Sequence, residues 1–479
     1  MAAPVHRVLL PLTTNTSTGG GVGGTATTIK IDPATRLEGH LEVTLQSNAG
    51  RVVSAQSGGM LYRGFENLLL GKDPRDAAHI TQRICGVCPT PHAMAAVMAG
   101  EAAAGLRVTD NARIVRNLIL GADYLHSHIL HFYHLALPDF IKGPAMPPWT
   151  PAYQVDLRLN DTDNQRMVDH YVQALTARRQ AHEAGAIFGG KLPHTVAYEY
   201  GGVTATPDAS MVTRFSNLLN QVIAFIDNVY VPDVDFLAGK YPEYYSIGRG
   251  YGNLLAFGVF DLNTTGSSKL LARGRVVNGL NAVQGIDLNA ILEQTRYSWY
   301  SDSGLNPSGG TTQPSATKTG AYSWIKSPRY GGVAYEVGAL ARMWINGDYR
   351  RGISVMDRHQ ARSHEASKIA HAMLTWLGQL NLGSPCYTAY TPTTSGAGIG
   401  LTEAPRGALG HWLQVANSVV SRYQILTPTC WNCSPRDNAG VAGAMEKALE
   451  GTPVVDSAQP AEPLRVVHSY DPCLSCAVH

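Results

Sequence analysis

Hydrophobic and polar positions change period several times along the chain, and each change marks an element. In HLEVTLQ (40–46) and RVVSAQ (51–56) apolar and polar residues alternate on either side of a Ser-Asn-Ala-Gly turn, which predicts a β-hairpin. From about Asp76 to Gly105 the period is helical, with Pro89 and Pro91 expected to break or kink the helix. Four long helical stretches follow. Residues 110–135 open on Asp110 as the expected N-cap and stop before Pro138; residues 162–188 end at Gly189-Gly190. Residues 208–230 run up to Pro232, and residues 354–380 run up to Gly383. Four such stretches, separated by long insertions, predict a central bundle. Residues 240–350, rich in Gly, Ser, Thr and Tyr, read as loops and short strands, and HWLQVANSVVSRYQIL (411–426) reads as a second hairpin turning at Asn417-Ser418. The expected fold class is α+β, mainly α, with a long-helix bundle flanked by smaller α+β regions carrying β-hairpins.

Composition narrows the picture. A chain of 479 residues can bury more than one domain-sized core, and 44% hydrophobic residues with a net charge of +2 exclude a disordered or nucleic-acid-coating protein. No apolar run reaches the ~18 residues that suggest a membrane span, so any membrane association is expected only through partners. The first residues, MAAPVHRVLLPLTTNTSTGGGVGG, lack the charged and apolar regions of a signal peptide.

The seven cysteines change the picture most. Six fall into three CxxC pairs, Cys85/Cys88, Cys430/Cys433 and Cys473/Cys476. Two such pairs can supply four soft sulfur ligands to a metal. The last two pairs are 39 residues apart, wider than a zinc ribbon, and spacing does not say which pairs meet. The histidines at 126, 128, 131 and 134 share helix faces, but without clustered carboxylates or cysteines they read as buried, hydrogen-bonded structural residues.

The flanking residues are more specific. TQRICGVCPTPH and the terminal DPCLSCAVH, with DPATRLEGH (32–40), YRGFENLLLGKDPRDA (62–77), HILHFYHL (128–135), EAPRGALGHW (403–412) and PTCWNCSPRD (428–437), together resemble the large, catalytic subunit of uptake-type nickel–iron hydrogenases. The resemblance runs in order from residue 31 to residue 479. It implies an N-terminal extension over 1–30 and one unit over 31–479. Within that unit, residues 31–106 would form an α+β part with the first CxxC, residues 107–400 the bundle with its insertions, and residues 401–479 the part with the last CxxC.

The resemblance also implies a site. Cys85 and Cys473 would be terminal nickel ligands, and Cys88 and Cys476 would bridge nickel to an iron carrying carbon monoxide and two cyanides. The reaction would be reversible heterolytic cleavage of dihydrogen to protons and electrons, in the uptake direction. Glu38 would take the proton from a thiolate, and Arg406, after Pro405, would stand over the metals. Thr429 would offer its hydroxyl to a cyanide, His92 would bond near a bridging sulfur, and Asp471 would partner Arg406. Glu66, His479 and a carbonyl near Ile425 would hold a magnesium or similar hard ion. An end at His479 looks like the product of the proteolytic maturation common in the family.

Two departures stand out: Ser127 replaces an acid that some relatives carry between these histidines, and Cys430 and Cys433 match no family ligand, reading as inert thiols. Cys386 has no assigned role. The chain offers no spare four-cysteine set for an iron–sulfur cluster, so an obligate small subunit bearing such clusters is expected. Two alternatives are a regulatory hydrogen sensor with the same metals and low turnover, and a metal-free relative of the quinone-binding subunit of respiratory complex I, against which the four cysteines argue. Location can be periplasmic by co-export with the partner or cytoplasmic.

Overall fold

Four antiparallel strands in sequential order, β1 (Leu12–Ser17), β2 (Thr27–Ala34), β3 (Leu41–Asn48) and β4 (Arg51–Gly59), open the computed structural model, which describes residues 12–17, 26–146, 149, 150, 153, 155–301 and 304–479. The expected hairpin is the β3–β4 pair, with Leu41, Val43 and Leu45 buried on one face. Leu12–Ser17, within the stretch read as an extension, pairs with β2, and the rest of the segment read for a signal peptide lies outside the described residues.

The prolines at 89 and 91 start a helix instead of breaking one. Cys88 is the N-cap of α1 (Pro89–Ala104), and a proline in a first turn forfeits no intrahelical hydrogen bond. Helix α2 (Asp110–Leu130) is capped by Thr109, not by Asp110: Thr109 Oγ1 accepts the amide of Ala112 at 3.1 Å. It widens into a π-helical turn at His131–Ala136. Helix α3 spans Asp161–Gly189. Helix α4 (Ala209–Phe225) passes through a second π turn, Ile226–Tyr230, into α5 (Val231–Lys240), so Pro232 does not end the rod. The widened turn relieves the proline of the usual hydrogen bond and clash. Helix α6 (Val355–Gly378) starts on the Ser354 cap and stops two residues short of the expected end.

These helices form the expected bundle, α2 packing on α3 and α6 and α4 packing on the same two. Between them lie short paired strands, such as Ile291–Gln294 with Ser327–Tyr330, and a helix at Ala339–Asn346 that the sequence pattern does not reveal.

The last sheet is ordered β5 (Gly396–Ala404), β6 (Gly407–Ala416), β7 (Val419–Leu426). The β6–β7 hairpin turns at Asn417 and Ser418, φ 53° and 65°, as the strand twist requires. Strand β5 was hidden by its glycines, which have a packing reason. A Cβ at Gly398 would lie 1.9 Å from the carbonyl oxygen of Ala99, and one at Gly400 1.9 Å from that of Ala95. The strand backbone therefore seats directly on α1 and runs antiparallel to it. This carries the Pro405-Arg406 turn toward the Cys88 end of the helix.

Candidate metal centre

The first and last CxxC pairs meet. Cys85 Sγ lies 3.4 Å from Cys473 Sγ and 3.4 Å from Cys88 Sγ; Cys88 and Cys476 are 3.4 Å apart, and Cys473 and Cys476 3.0 Å. All four sulfurs lie within 4.8 Å of one another, all four residues are buried, and none forms a disulfide. Cys85 follows a 3-10 turn at Gln82–Ile84, and the amides of Val87 and Cys88 point at its sulfur from 3.2 and 3.3 Å. Hydrogen bonds from Cys473, Cys476 and Cys88 hold the Cys85 thiol well below its ordinary range. Its contact with Cys473 pushes Cys88 well above that range, and burial does the same to Cys476. Four such sulfurs in so small a volume cannot all ionise without a multivalent cation. The donor set fits soft, thiophilic metals.

Glu38 reaches this cluster through its backbone. Its carbonyl accepts the amide of Leu474 at 2.6 Å, in a parallel bridge between Glu38 and Cys473. Gly39 has φ +88°, and a Cβ there would fall 2.7 Å from the amide nitrogen of Ser475, so the approach demands glycine. The Glu38 carboxyl is half-buried, with Ser475 Oγ at 3.4 Å; burial and the Cys85 thiolate raise its pKa.

Arg406 is buried, with Nη2 2.9 Å from Asp471 Oδ1 and Nη1 3.5 Å from Ser127 Oγ. Its Nε has no protein partner. The turn that carries it is held from behind by Arg342, which donates to the carbonyls of Ala404 and Pro405 at 3.0 and 2.8 Å, to Glu365 Oε1 and Oε2 at 2.7 Å each, and to Glu403 Oε2 at 2.9 Å. All three ionic side chains are fully buried. No spacing or motif marks Arg342 or Glu365, and Glu403, although it opens the EAPRGALGHW motif, was given no role; the three lie on separate elements, and sequence reasoning missed the network they form.

Other expected residues fall around the same point. Thr429 Oγ1 accepts the amide of Cys473 at 3.0 Å, which leaves its hydroxyl proton free to donate. His92, on the first turns of α1, turns Nδ1 to His411 Nε2 at 3.2 Å, and burial lowers its pKa to about 3, so it is neutral. The π-turn and α2 histidines behave as structural residues: His131 Nε2 meets the carbonyl of His468 at 2.6 Å, and His128 Nε2 meets Glu365 at 2.8 Å.

On the far side of the last CxxC, Glu66 Oε1 accepts the amide of Ile425 at 2.8 Å, lies 3.5 Å from His479 Nε2, and Oε2 is bonded by Thr312. Burial would raise the pKa of Glu66, but Lys326 and His479 outweigh it and hold it at about 2. His479 Nδ1 meets the carbonyl of Cys476 at 2.6 Å, so this anchor is one bond from the cluster. Cys430 and Cys433 stay out of the cluster. Cys430 sits by Thr427 Oγ1 at 3.2 Å, Cys433 by Met445 Sδ at 3.7 Å, and burial raises both pKa values, Cys430 to about 12.

Fold and site thus define a metalloenzyme subunit whose centre is closed by opposite ends of one chain. The profile of the family described as nickel-dependent hydrogenase matches residues 63–145, 136–352 and 347–479. The periplasmic [NiFeSe] hydrogenase large subunit of Desulfomicrobium baculatum is 40% identical, covering 94% of each chain. The uptake hydrogenase large subunit of Rhizobium leguminosarum bv. viciae is 31% identical, covering 98% of each. The solved Ni-Fe-Se hydrogenase of D. vulgaris Hildenborough, in its reduced state, superposes with a TM-score of 0.92 at 41% identity, over 95% of this chain and 100% of that one. The chain belongs to the nickel-dependent hydrogenase family. It is the catalytic large subunit of a nickel–iron hydrogenase, an oxidoreductase acting on dihydrogen, and the metal-free alternative falls. Although several relatives carry selenium in their names, all four positions here are cysteine. The large-subunit relatives imply a smaller partner subunit.

Proposed function

We propose that this subunit oxidises dihydrogen in the uptake direction at a nickel–iron centre. Cys85 and Cys473 would hold its nickel as terminal ligands, and Cys88 and Cys476 would be shared between the nickel and an iron bearing carbon monoxide and cyanides. When bound, that centre supplies redox-active metals that polarise dihydrogen. The chain's own residues do the rest. The proton released at the cluster is received on the Cys473 sulfur and passes to the Glu38 carboxylate. Burial and the Cys85 thiolate raise the pKa of Glu38, which makes its carboxylate a stronger proton acceptor. Arg406 keeps a fixed cation over the site, its unpartnered Nε available to an anionic ligand. Pro405 sets the turn that aims it, Thr429 offers its spare proton, and neutral His92 bonds near a bridging sulfur. Glu66, His479 and a carbonyl near Ile425 form a site for magnesium or a similar hard ion; the 3.5 Å between the Glu66 oxygen and the His479 nitrogen suits two ligands of one ion. Electrons leave to a small subunit carrying iron–sulfur clusters.

One observation carries this reading: four buried sulfurs within 4.8 Å, with the Glu38 backbone bonded onto the same turn as Cys473. An infrared spectrum of the nickel-loaded protein tests it. Carbon monoxide and cyanide bands are expected, and their absence from mature protein would end the reading.

A further inference from the structure

Asp123 is a buried acid that nothing above uses. It sits on α2 with 1% of its surface exposed. Its Oδ1 accepts the hydroxyl of Thr90 at 3.2 Å, and its Oδ2 has no partner. Both neighbours tie it to the metal centre. Thr90 is two residues past Cys88, in the first turn of α1. Ser127, one helical turn beyond Asp123 and on the same face of α2, meets Arg406 at 3.5 Å. The charges that reach the Asp123 carboxyl are those of Cys85 and Arg406. It is therefore one residue contact from the turn of the first CxxC pair and one helical turn from the residue that meets Arg406.

Among the described residues the cation that reaches Asp123 is Arg406, and it already faces Asp471 at 2.9 Å. An ionised carboxylate whose one partner is a neutral hydroxyl carries a heavy desolvation penalty. A neutral acid does not, and it presents an O–H on the free oxygen. Burial, the largest influence on this group, pushes its pKa well above the carboxylate range, in agreement.

We propose that Asp123 is a positioning residue of the reaction: an uncharged carboxylic acid whose free Oδ2–H is offered to an anionic ligand of the metal centre on the Arg406 side, adding a hydrogen bond without adding a negative charge. Such a bond would stabilise electron density on that ligand. The role rests on the assignment of the nickel–iron centre to the four cysteines.

The test uses the metal-loaded complex with its small subunit and infrared spectroscopy of the parent and of the Asp123→Ala and Asp123→Asn variants. The parent is expected to show a carboxylic-acid carbonyl band that shifts in heavy water and is absent from both variants. Asp123→Ala should shift the diatomic-ligand bands and lower kcat about tenfold, the lower end of the effect of outer-shell partners. Asp123→Asn, which keeps a neutral donor, should return those bands to their parent positions. The proposal is overturned if the carboxylic-acid band is missing from the parent. It is equally overturned if Asn shifts the ligand bands as far as Ala does, or if Ala leaves them in place. If Asp123→Ala does not assemble, the carbonyl band and the Asn spectrum decide between the same outcomes. A parent without diatomic bands would instead defeat the assignment of the centre, and the carbonyl band would still report the state of Asp123.

Discussion

Glu38 and Cys473, 435 positions apart in the sequence, are joined by a parallel backbone bridge in which the Glu38 carbonyl accepts the amide of Leu474 at 2.6 Å. The carboxyl and the thiol therefore ride on one rigid unit. The proposed proton transfer between them would need no loop movement, because the backbone bridge already holds the two residues side by side.

Glu38→Gln should keep nickel, iron and the infrared bands while losing about a hundredfold in hydrogen-driven dye reduction, within the roughly 10²–10⁴-fold contribution of a positioned acid–base group. Glu38→Asp should lose less. Turnover within tenfold of the parent in a fully metallated Gln variant would send the proton by another route.

Metal analysis of the mature protein should find nickel and iron in equal amounts. Cys473→Ser should lose nickel, since a hydroxyl is a hard, protonated replacement for a thiolate, whereas Cys430→Ser should keep it. Cys430 bonds to Thr427 and the carbonyl of Ala477, outside the four-sulfur cluster.

Removing the carboxylate at Glu66 leaves the amide of Ile425, Thr312 and His479 without their shared acceptor. Glu66→Ala should lower the thermal midpoint and loosen nickel, although Glu66 is not a proposed nickel ligand. Parent-like melting together with full nickel occupancy would show that this anchor contributes nothing.

Arg342 is bonded to two carboxylates and two carbonyls with no exposure to water. Arg342→Met would strand Glu365 and Glu403, and breaking such a buried pair costs about 3–5 kcal/mol. Denaturant unfolding of the metal-free chain should show that loss, and reconstitution should show poorer nickel uptake because the Arg406 turn is released.

The same network sets a pH dependence. Burial alone would raise the pKa of Glu365, but Arg342 and His128 outweigh it and hold it at about 2, against an ordinary value of 4.5. Its stabilisation is therefore complete above pH 4.5 and is lost as pH falls toward 2, amounting to about 3 kcal/mol at ~1.4 kcal/mol per unit. Acid unfolding followed by circular dichroism should steepen over that window, and Glu365→Gln should flatten it.

Local patterns were enough for local structure. The two hairpins, the bundle helices and the loop-rich middle follow from side-chain period and from turn residues such as Asn417-Ser418, because these report backbone preferences over a few residues. The cysteine flanks likewise carried the family, since motif residues are visible wherever the chain places them. Errors came where a neighbour outweighed local preference. Pro89 and Pro91 sit in the first turn of a helix, where a proline forfeits no hydrogen bond, Pro232 is carried through by a π turn, and β5 goes unread until α1 explains its glycines. Which two of the three CxxC pairs close on each other was a tertiary decision. Cys85 and Cys473 are 388 positions apart, and bringing them together is set by the packing of β5 on α1 and the bonding of Glu38 to the last turn. The buried partners Arg342, Glu365 and Asp123, and the role of Glu403, were equally invisible, because a charged residue bears no sequence mark of burial until the elements around it have packed.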